Sequence, residues 1–485
     1  MKVHVTLVNP PYPTRAHQHP PFPPLGLGYL AAVLEKNNFS VDVIDCQALR
    51  LTYEGFREEI RKRQPSIVGS TATTRTYKSA LQIARIAKEE HPNCVTVLGG
   101  PHATFWDSEA LNECPQLDVV VRKEGENTLL ELAQCVEKRK PYYDVVGTTC
   151  RKGTETVHNA DRPYIEDLDC LPFPARHLWP LDVLRKYEDV FYLQTSRGCV
   201  YWCEFCAAVR MFGRRYRFRS SKNVVDELEF LNKTYNATQF TFCDDAFTVD
   251  MPRTEELCRE IRNRGLKIKW NCGTRVDMIT EELLLKMRAA GCVSVWFGVE
   301  SGSQHVLNEM RKGISTEQTI RAIGCVRKLG LKPVPNVLIG YPGETEESAW
   351  RTIKFAEKIS PDEVAFFNIA TPLPGTPMFD KVMENRWARI FDFDLYDCAT
   401  PIFETPTLSM KQVGDLYQQA FQSFYFRSTY LPRQFARGPT YGLSATRKVL
   451  NQLVNALRTG TLASTIRSRI KYSNLKYPQI HGYAE

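Results

Sequence analysis

Ser196-Arg197-Gly198-Cys199-Val200-Tyr201-Trp202-Cys203-Glu204-Phe205-Cys206 sets three cysteines at the spacing CxxxCxxC. Three thiolates this close can each take one iron of a cubane 4Fe–4S cluster, and the missing fourth protein ligand leaves one iron open to a small molecule. Structural zinc is the competing reading. Zinc, however, takes four ligands, usually from paired CxxC motifs, and the chain has no second pair. The other twelve of the fifteen cysteines are scattered singly, as expected of small buried hydrophobes in a reducing compartment.

Reading outward, the triplet directly follows a strand-like run, Val190–Thr195. Five more such runs come after it: Gln239–Cys243, Lys269–Cys272, Val293–Val299, Val334–Ile339 and Val364–Ile369. Helical segments lie between them, among them Asn223–Tyr235, Thr316–Leu329 and Glu346–Ile359. Six strand–helix units fall two short of a full barrel, so 187–410 is expected to form a partial (β/α)6 barrel. Loops after the strands form the active face of such barrels, which puts the cysteines at the mouth. The same face collects Asp244 after the second strand, Arg275 after the third, Glu300 after the fourth and Gly340 after the fifth.

Residues 1–150 alternate strand and helix as in a Rossmann-like, doubly wound parallel sheet, so the chain is of the α/β class. Its strands run out into small or glycine-rich loops: Asn9-Pro10-Pro11, the loop holding Ser70, Thr71 and Thr73, Gly99-Gly100-Pro101-His102, and Glu124-Gly125-Glu126. Ligands of such sheets gather there. Residues 151–186 are rich in Pro and Asp and read as a linker, and 411–485 read as a helical, basic extension.

Charge is uneven. From Arg427 to the end there are ten basic residues and one acid, Glu485, so that stretch carries +9 and the preceding 426 residues sum to −1. Leu443, Val449, Leu450, Leu453, Val454 and Leu457 recur largely at helical spacing. An amphipathic helix docked on the barrel is one reading; peripheral contact with an anionic membrane is the sharper one. Aromatic interleaving is slight, which argues against nucleic acid. No apolar run reaches the ~20 residues of a membrane span. Met1-Lys2-Val3-His4-Val5 opens without the apolar stretch of a secretory signal. The expected location is cytoplasmic, with the tail at the inner membrane surface if it binds lipid.

With Phe205 before the last cysteine, the triplet resembles the radical S-adenosylmethionine superfamily. The resemblance implies that Cys199, Cys203 and Cys206 hold the 4Fe–4S cluster. The open iron then chelates S-adenosylmethionine, which an electron cleaves to a 5′-deoxyadenosyl radical. It further implies S-adenosylmethionine contacts at Phe205, Asp244, Arg275, Glu300 and Gly340, and an electron donor such as flavodoxin or ferredoxin. Asp244 stands where the superfamily often has a Gly-Gly-Glu run.

The N-terminal loops, with Pro24-Leu25-Gly26-Leu27-Gly28, resemble the domain of cobalamin-dependent members. That implies cobalamin contacts at Asn9, Ser70, Thr71, Thr73, Gly99, Gly100, Pro101, His102, Glu124 and Gly125. None of the nine histidines lies in Asp-x-His-x-x-Gly, the pattern that donates a histidine to cobalt. Radical methylthiotransferases share the architecture but need three more cysteines in an N-terminal loop triad, which Cys46, Cys94, Cys114, Cys135 and Cys150 do not supply.

The expected activity is methylation of an unactivated carbon of a small, hydrophobic substrate. The alternatives are radical cyclisation or ring rearrangement without methyl transfer, and a non-catalytic module that only binds the cofactors.

Overall fold

The computed structural model describes residues 3–13, 22–360, 364–428, 430–436, 438, 446 and 450. β-branched runs closed by Gly, Pro or Asn turns form two main sheets. The first contains β1 (His4–Asn9), β2 (Ser40–Asp45), β3 (Ile67–Thr71), β4 (Val95–Gly99), β5 (Val119–Val121), β6 (Thr148–Lys152) and β7 (Glu155–His158). Their order is β2-β1-β3-β4-β5-β6-β7, and β1 to β5 are parallel. The strand order reverses beside β1, and a crevice at the carboxyl ends follows from that reversal.

The hairpin β6–β7 differs from the sequence expectation, because it pairs antiparallel with β5 and carries the sheet past 150 into the stretch read as a linker. Gly147 and Gly153 supply the left-handed turns at its ends, with φ of +87° and +61°. Its strands are mostly polar and charged, which hid them. The helix Tyr53–Arg63 was missed for a similar reason: only Phe56 and Ile60 of its eleven residues are buried, so no apolar stripe marks it.

β8 (Phe191–Leu193) opens the second sheet. The short antiparallel pair β9 (Ser196–Arg197) and β10 (Arg217–Phe218) closes the cysteine loop at its base. β11 (Gln239–Phe242), β12 (Lys269–Thr274), β13 (Cys292–Glu300), β14 (Lys332–Ile339) and β15 (Phe366–Ile369) follow. The order β8-β11-β12-β13-β14-β15 is wholly parallel, a half-barrel of six strands. One residue in two, such as Phe240, Phe242, Val295 and Phe297, is buried against the outer helices. The others face the concave side.

The helix Met410–Tyr425 starts at a capping box of Ser409 and Gln412 and buries Val413, Leu416, Ala420 and Phe424 in the barrel's outer core. Most of the basic tail lies outside the described residues, and with it the question of lipid contact. Among the described residues no helix is long and apolar enough to cross a membrane.

Candidate functional site

Gly198 starts the cysteine loop at φ +92°, where a Cβ would stand 2.3 Å from the Arg215 carbonyl oxygen. Only glycine lets β9 and β10 close this tightly. The Cys199 N–H then donates to the Gly213 carbonyl at 3.4 Å, and the Cys206 N–H to that of Cys203 at 3.1 Å. All three thiols are half-buried. Burial raises all three as free thiols, Cys206 to about 12, and the charge of neighbouring cysteines adds to it at Cys199 and Cys206. Lys312 and Arg275 pull Cys203 the other way.

Among the described residues no three His, Cys, Asp or Glu groups converge to hold a single metal ion. A cubane asks for something different, one thiol per iron. Three clustered thiols with cations beside them, and no fourth ligand, match that donor set.

The strand ends contribute unequally. The Asp244 carboxylate is buried and spent: it accepts from the Thr195 N–H at 2.6 Å, the Ser196 N–H at 3.0 Å and the Thr195 hydroxyl. Asp244 therefore braces the chain ahead of the cysteines instead of facing a ligand, as the sequence had implied. Its neighbour Asp245 has the opposite parity and takes the concave side. Burial by surrounding protein, with Asp244's charge adding to it, pushes Asp245 up to about 6.

Arg275 stacks on the Tyr201 ring at 3.6 Å and forms a two-pronged pair with Asp277 at 2.9 Å. Its Nη1 stays buried without a partner. Glu300 sits at φ +61°, just past a bulge in β13, and accepts from Lys312 Nζ at 2.7 Å. Phe205 packs into the cluster around Tyr341 and Met310, with Lys312 Nζ 5.6 Å from its ring centre. Gly340 has a packing role beside its implied S-adenosylmethionine contact: a Cβ there would meet Val413 at 2.7 Å, so this glycine admits the C-terminal helix.

At the carboxyl end of the first sheet lies a cavity of about 320 Å³. Ser70, Thr71, Gly99, Gly100, Pro101, Glu124 and Gly125 all reach it. Gln194, just past β8, Arg197 of β9, and Met211 and Phe212 of the helix Ala208–Phe212 close it from the other side, so both halves of the chain build its wall. Its size suits a flat base with its sugar, the nucleotide tail of cobalamin, and not a whole corrin. Two observations fit such a guest. The Ser70 hydroxyl is buried on the wall with no partner, and a Cβ on Gly26 would stand in open space.

Three implied contacts fall elsewhere. Asn9 spends its amide on Asp45 and Gln47. Thr73 caps the short turn Thr74–Thr76. His102 turns inward on the helix that Pro101 begins and packs between Tyr77 and Phe393, with ring centres 4.3 and 4.6 Å away. Burial lowers it to about 3.

The seam between the sheets is ionic and buried. Arg197 reaches Glu126 at 2.6 Å and Glu124 at 3.1 Å, and Arg217 reaches Glu124 at 2.8 Å. Arg176 and Arg219 flank Glu227 behind it. Sequence reading missed Asp245, Lys312 and these arginines. Lys312 carries no local sequence signal; the fold places it against Gly298, where a side chain would strike Lys312 Nζ at 2.6 Å and Glu300 Oε1 at 2.4 Å.

Residues 15–133 match the family described as B12 binding domain, and residues 193–356 the Radical SAM superfamily. An uncharacterized methyltransferase of Pyrococcus horikoshii is 36% identical over 406 residues, covering 84% of this chain and 88% of its own. An anaerobic magnesium-protoporphyrin IX monomethyl ester cyclase of Rubrivivax gelatinosus is 31% identical over 86% of this chain and 76% of its own. Among solved structures, the fold matches the radical S-adenosylmethionine methyltransferase TsrM of Kitasatospora setae, with cobalamin and [4Fe-4S] cluster bound. The TM-score is 0.69 at 22% identity, over 79% of this chain and 78% of that one. It also matches the cobalamin-dependent S-adenosylmethionine radical enzyme OxsB, with aqua-cobalamin and S-adenosylmethionine bound. There the TM-score is 0.72 at 20% identity, over 98% and 73%.

Proposed function

The chain belongs to the cobalamin-dependent radical S-adenosylmethionine enzymes, and from that premise we propose that it methylates an unactivated carbon of a small-molecule substrate. Its cofactors are a 4Fe–4S cluster, S-adenosylmethionine and cobalamin. Together, when bound, they supply an electron, a hydrogen-abstracting radical and a methyl group. The observation that carries the reading is a cavity walled by both halves of the chain, whose residue Arg197 lies two positions before Cys199.

In this reading Cys199, Cys203 and Cys206 hold the cluster. Phe205, Arg275 and Glu300 flank S-adenosylmethionine, with the free Nη1 of Arg275 placed for a carboxylate, and Asp245 takes the part first given to Asp244. Ser70, Thr71, Gly99, Gly100, Pro101, Glu124 and Gly125 cradle the cobalamin tail. The Glu124–Arg197–Glu126 pairs hold the two sheets in register, so the groups on either side meet at a fixed spacing. An acidic flavodoxin- or ferredoxin-like donor supplies the electron.

The cyclase relatives keep a second outcome in play, radical chemistry without methyl transfer. The test is anaerobic reconstitution with cluster and cobalamin, followed by reductant, S-adenosylmethionine and a panel of candidate substrates. Methylation yields S-adenosylhomocysteine and 5′-deoxyadenosine together. 5′-Deoxyadenosine alone, with a modified substrate, would move the assignment to a cyclase. Neither product would leave only a binding module.

A further inference from the structure

β13 is a central strand, with β12 on one side and β14 on the other. Central strands of parallel sheets are covered on both faces, and mostly by aliphatic side chains. The outer face of β13 obeys this rule, since Val295, Phe297 and Val299 are fully buried. The inner face does not. Trp296 there is 39% exposed, and Phe366 of β15, on the same concave side, is 44% exposed. Their ring centres lie 5.6 Å apart, with the planes at 31°. Two large rings left this exposed on a strand face are an unfinished contact.

The surroundings describe what would finish it. Gly273 is the register partner of Trp296 on β12, and a Cβ on it would meet nothing within 4 Å. Space therefore opens beside the indole. One register step toward the cysteines, Glu300 and Lys312 lie over Gly298 and neutralise each other at 2.7 Å. Asn271, on the concave face of β12, holds a buried side-chain oxygen without a partner. Asn336, the register partner of both Gly298 and Phe366, stands on the same face and donates its amide to the Phe297 carbonyl at 3.4 Å. The site is thus two rings, a void, a closed ion pair and two amides.

We infer that Trp296 and Phe366 form a shelf for the substrate, and that the substrate carries an apolar ring system, aromatic or fused, with one donor group such as a hydroxyl or amine for Asn271. A ring lying flat on the shelf fills the space over Gly273 and excludes water from the rings. This inference rests on the proposed function for its site.

The test needs no turnover, so it stands or falls apart from the methyl-transfer assay. The full chain, reconstituted with cluster and cobalamin, is dialysed to equilibrium against 1-aminoanthracene, a flat three-ring amine. Iron and cobalamin per chain are measured in every variant. One saturable equivalent is expected. Trp296→Ala weakens it about tenfold, while Trp296→Phe stays within about threefold. Gly273→Phe removes binding by occupying the void, with every ring of the shelf still present. Phe391→Ala, a 67% exposed aromatic that belongs to neither sheet, changes nothing.

If Trp296→Ala loses its iron, the Gly273→Phe result decides alone. No saturable binding to the unaltered chain would overturn the inference. So would Gly273→Phe binding like the unaltered chain, or Phe391→Ala weakening binding as much as Trp296→Ala.

Discussion

The carboxyl end of the first sheet and that of the second are prepared in opposite ways. The first is shaped. Glycines leave a cavity, its wall is largely apolar, and the carboxylates at its rim, Glu124 and Glu126, already have guanidinium partners. The second is charged and unfinished. Burial holds three thiols and Asp245 up, and one arm of Arg275 has nothing to bind. A shaped site can recognise a ready-made molecule by exclusion of water alone. A site with unspent valences waits for metal and a zwitterion to complete it. The chain thus separates holding a large cofactor from provoking chemistry.

That contrast breaks first at the cysteines. Cys203→Ala should abolish the absorbance of the cluster and reductive cleavage of S-adenosylmethionine, because two thiolates cannot hold the cubane. Cobalamin binding, read from its visible spectrum after gel filtration, should stay within about twofold, since the cavity makes no use of the thiols. The mirror experiment fills the cavity. Gly26 opens the helix Leu25–Lys36 and has room for a side chain. Gly26→Leu improves helix propensity, so the fold persists. Cobalamin affinity should nevertheless fall by about tenfold or more, because the guest now meets filled space, while iron content is unchanged. If iron fell with cobalamin, the two ends would not be independent.

Arg197 is where they are not. It belongs to the cavity wall, its guanidinium is buried, and the first cluster cysteine is two residues on. Arg197→Met leaves Glu126 buried without its cation and Glu124 with Arg217 only. Stranding a buried charge costs about 3–5 kcal/mol, and the remaining Arg217 contact places this case near the lower figure. Thermal unfolding should shift down by several degrees, and cobalamin and iron should both drop. A fall in one alone would show that the seam serves a single cofactor.

How much of this was legible depended on the distance over which each residue acts. The parallel strands could be read because β-branched runs and their Gly or Pro turns are local signals. The cysteine loop could be read because its spacing is the chemistry. Asp244 was chosen over Asp245 although the alternation was visible: Phe240, Phe242 and Asp244 share one parity and are buried, so Cys243 and Asp245 take the concave side. Gly340 read only as a ligand contact because nothing near it in sequence shows that Val413 arrives there. Arg197, Arg217, Glu124 and Glu126 are ordinary charged residues until the fold closes sequence separations of 71 to 93 positions.

His102 gives the smallest effect and the finest test of the comparison, since it lies beside the shaped site without belonging to it. Its ring is buried among Tyr77, Trp106 and Phe393, and its Nε2 has no partner. Burial holds its folded value down at about 3, whereas an unfolded histidine titrates near 6.5. Between those values the unfolded chain binds a proton that the folded chain refuses. The stability tied to this neutral ring is therefore complete above about pH 6.5 and drains away as pH falls toward 3. At pH 5 the loss is about 2 kcal/mol. His102→Phe keeps the ring packing and removes the titration. Its melting temperature should match the unaltered chain at pH 7.5 and exceed it by a few degrees at pH 5, with cobalamin affinity at pH 7.5 unchanged. A loss of cobalamin at neutral pH would instead return His102 to the cavity wall, and with it the part that Gly-Gly-Pro-His first seemed to play.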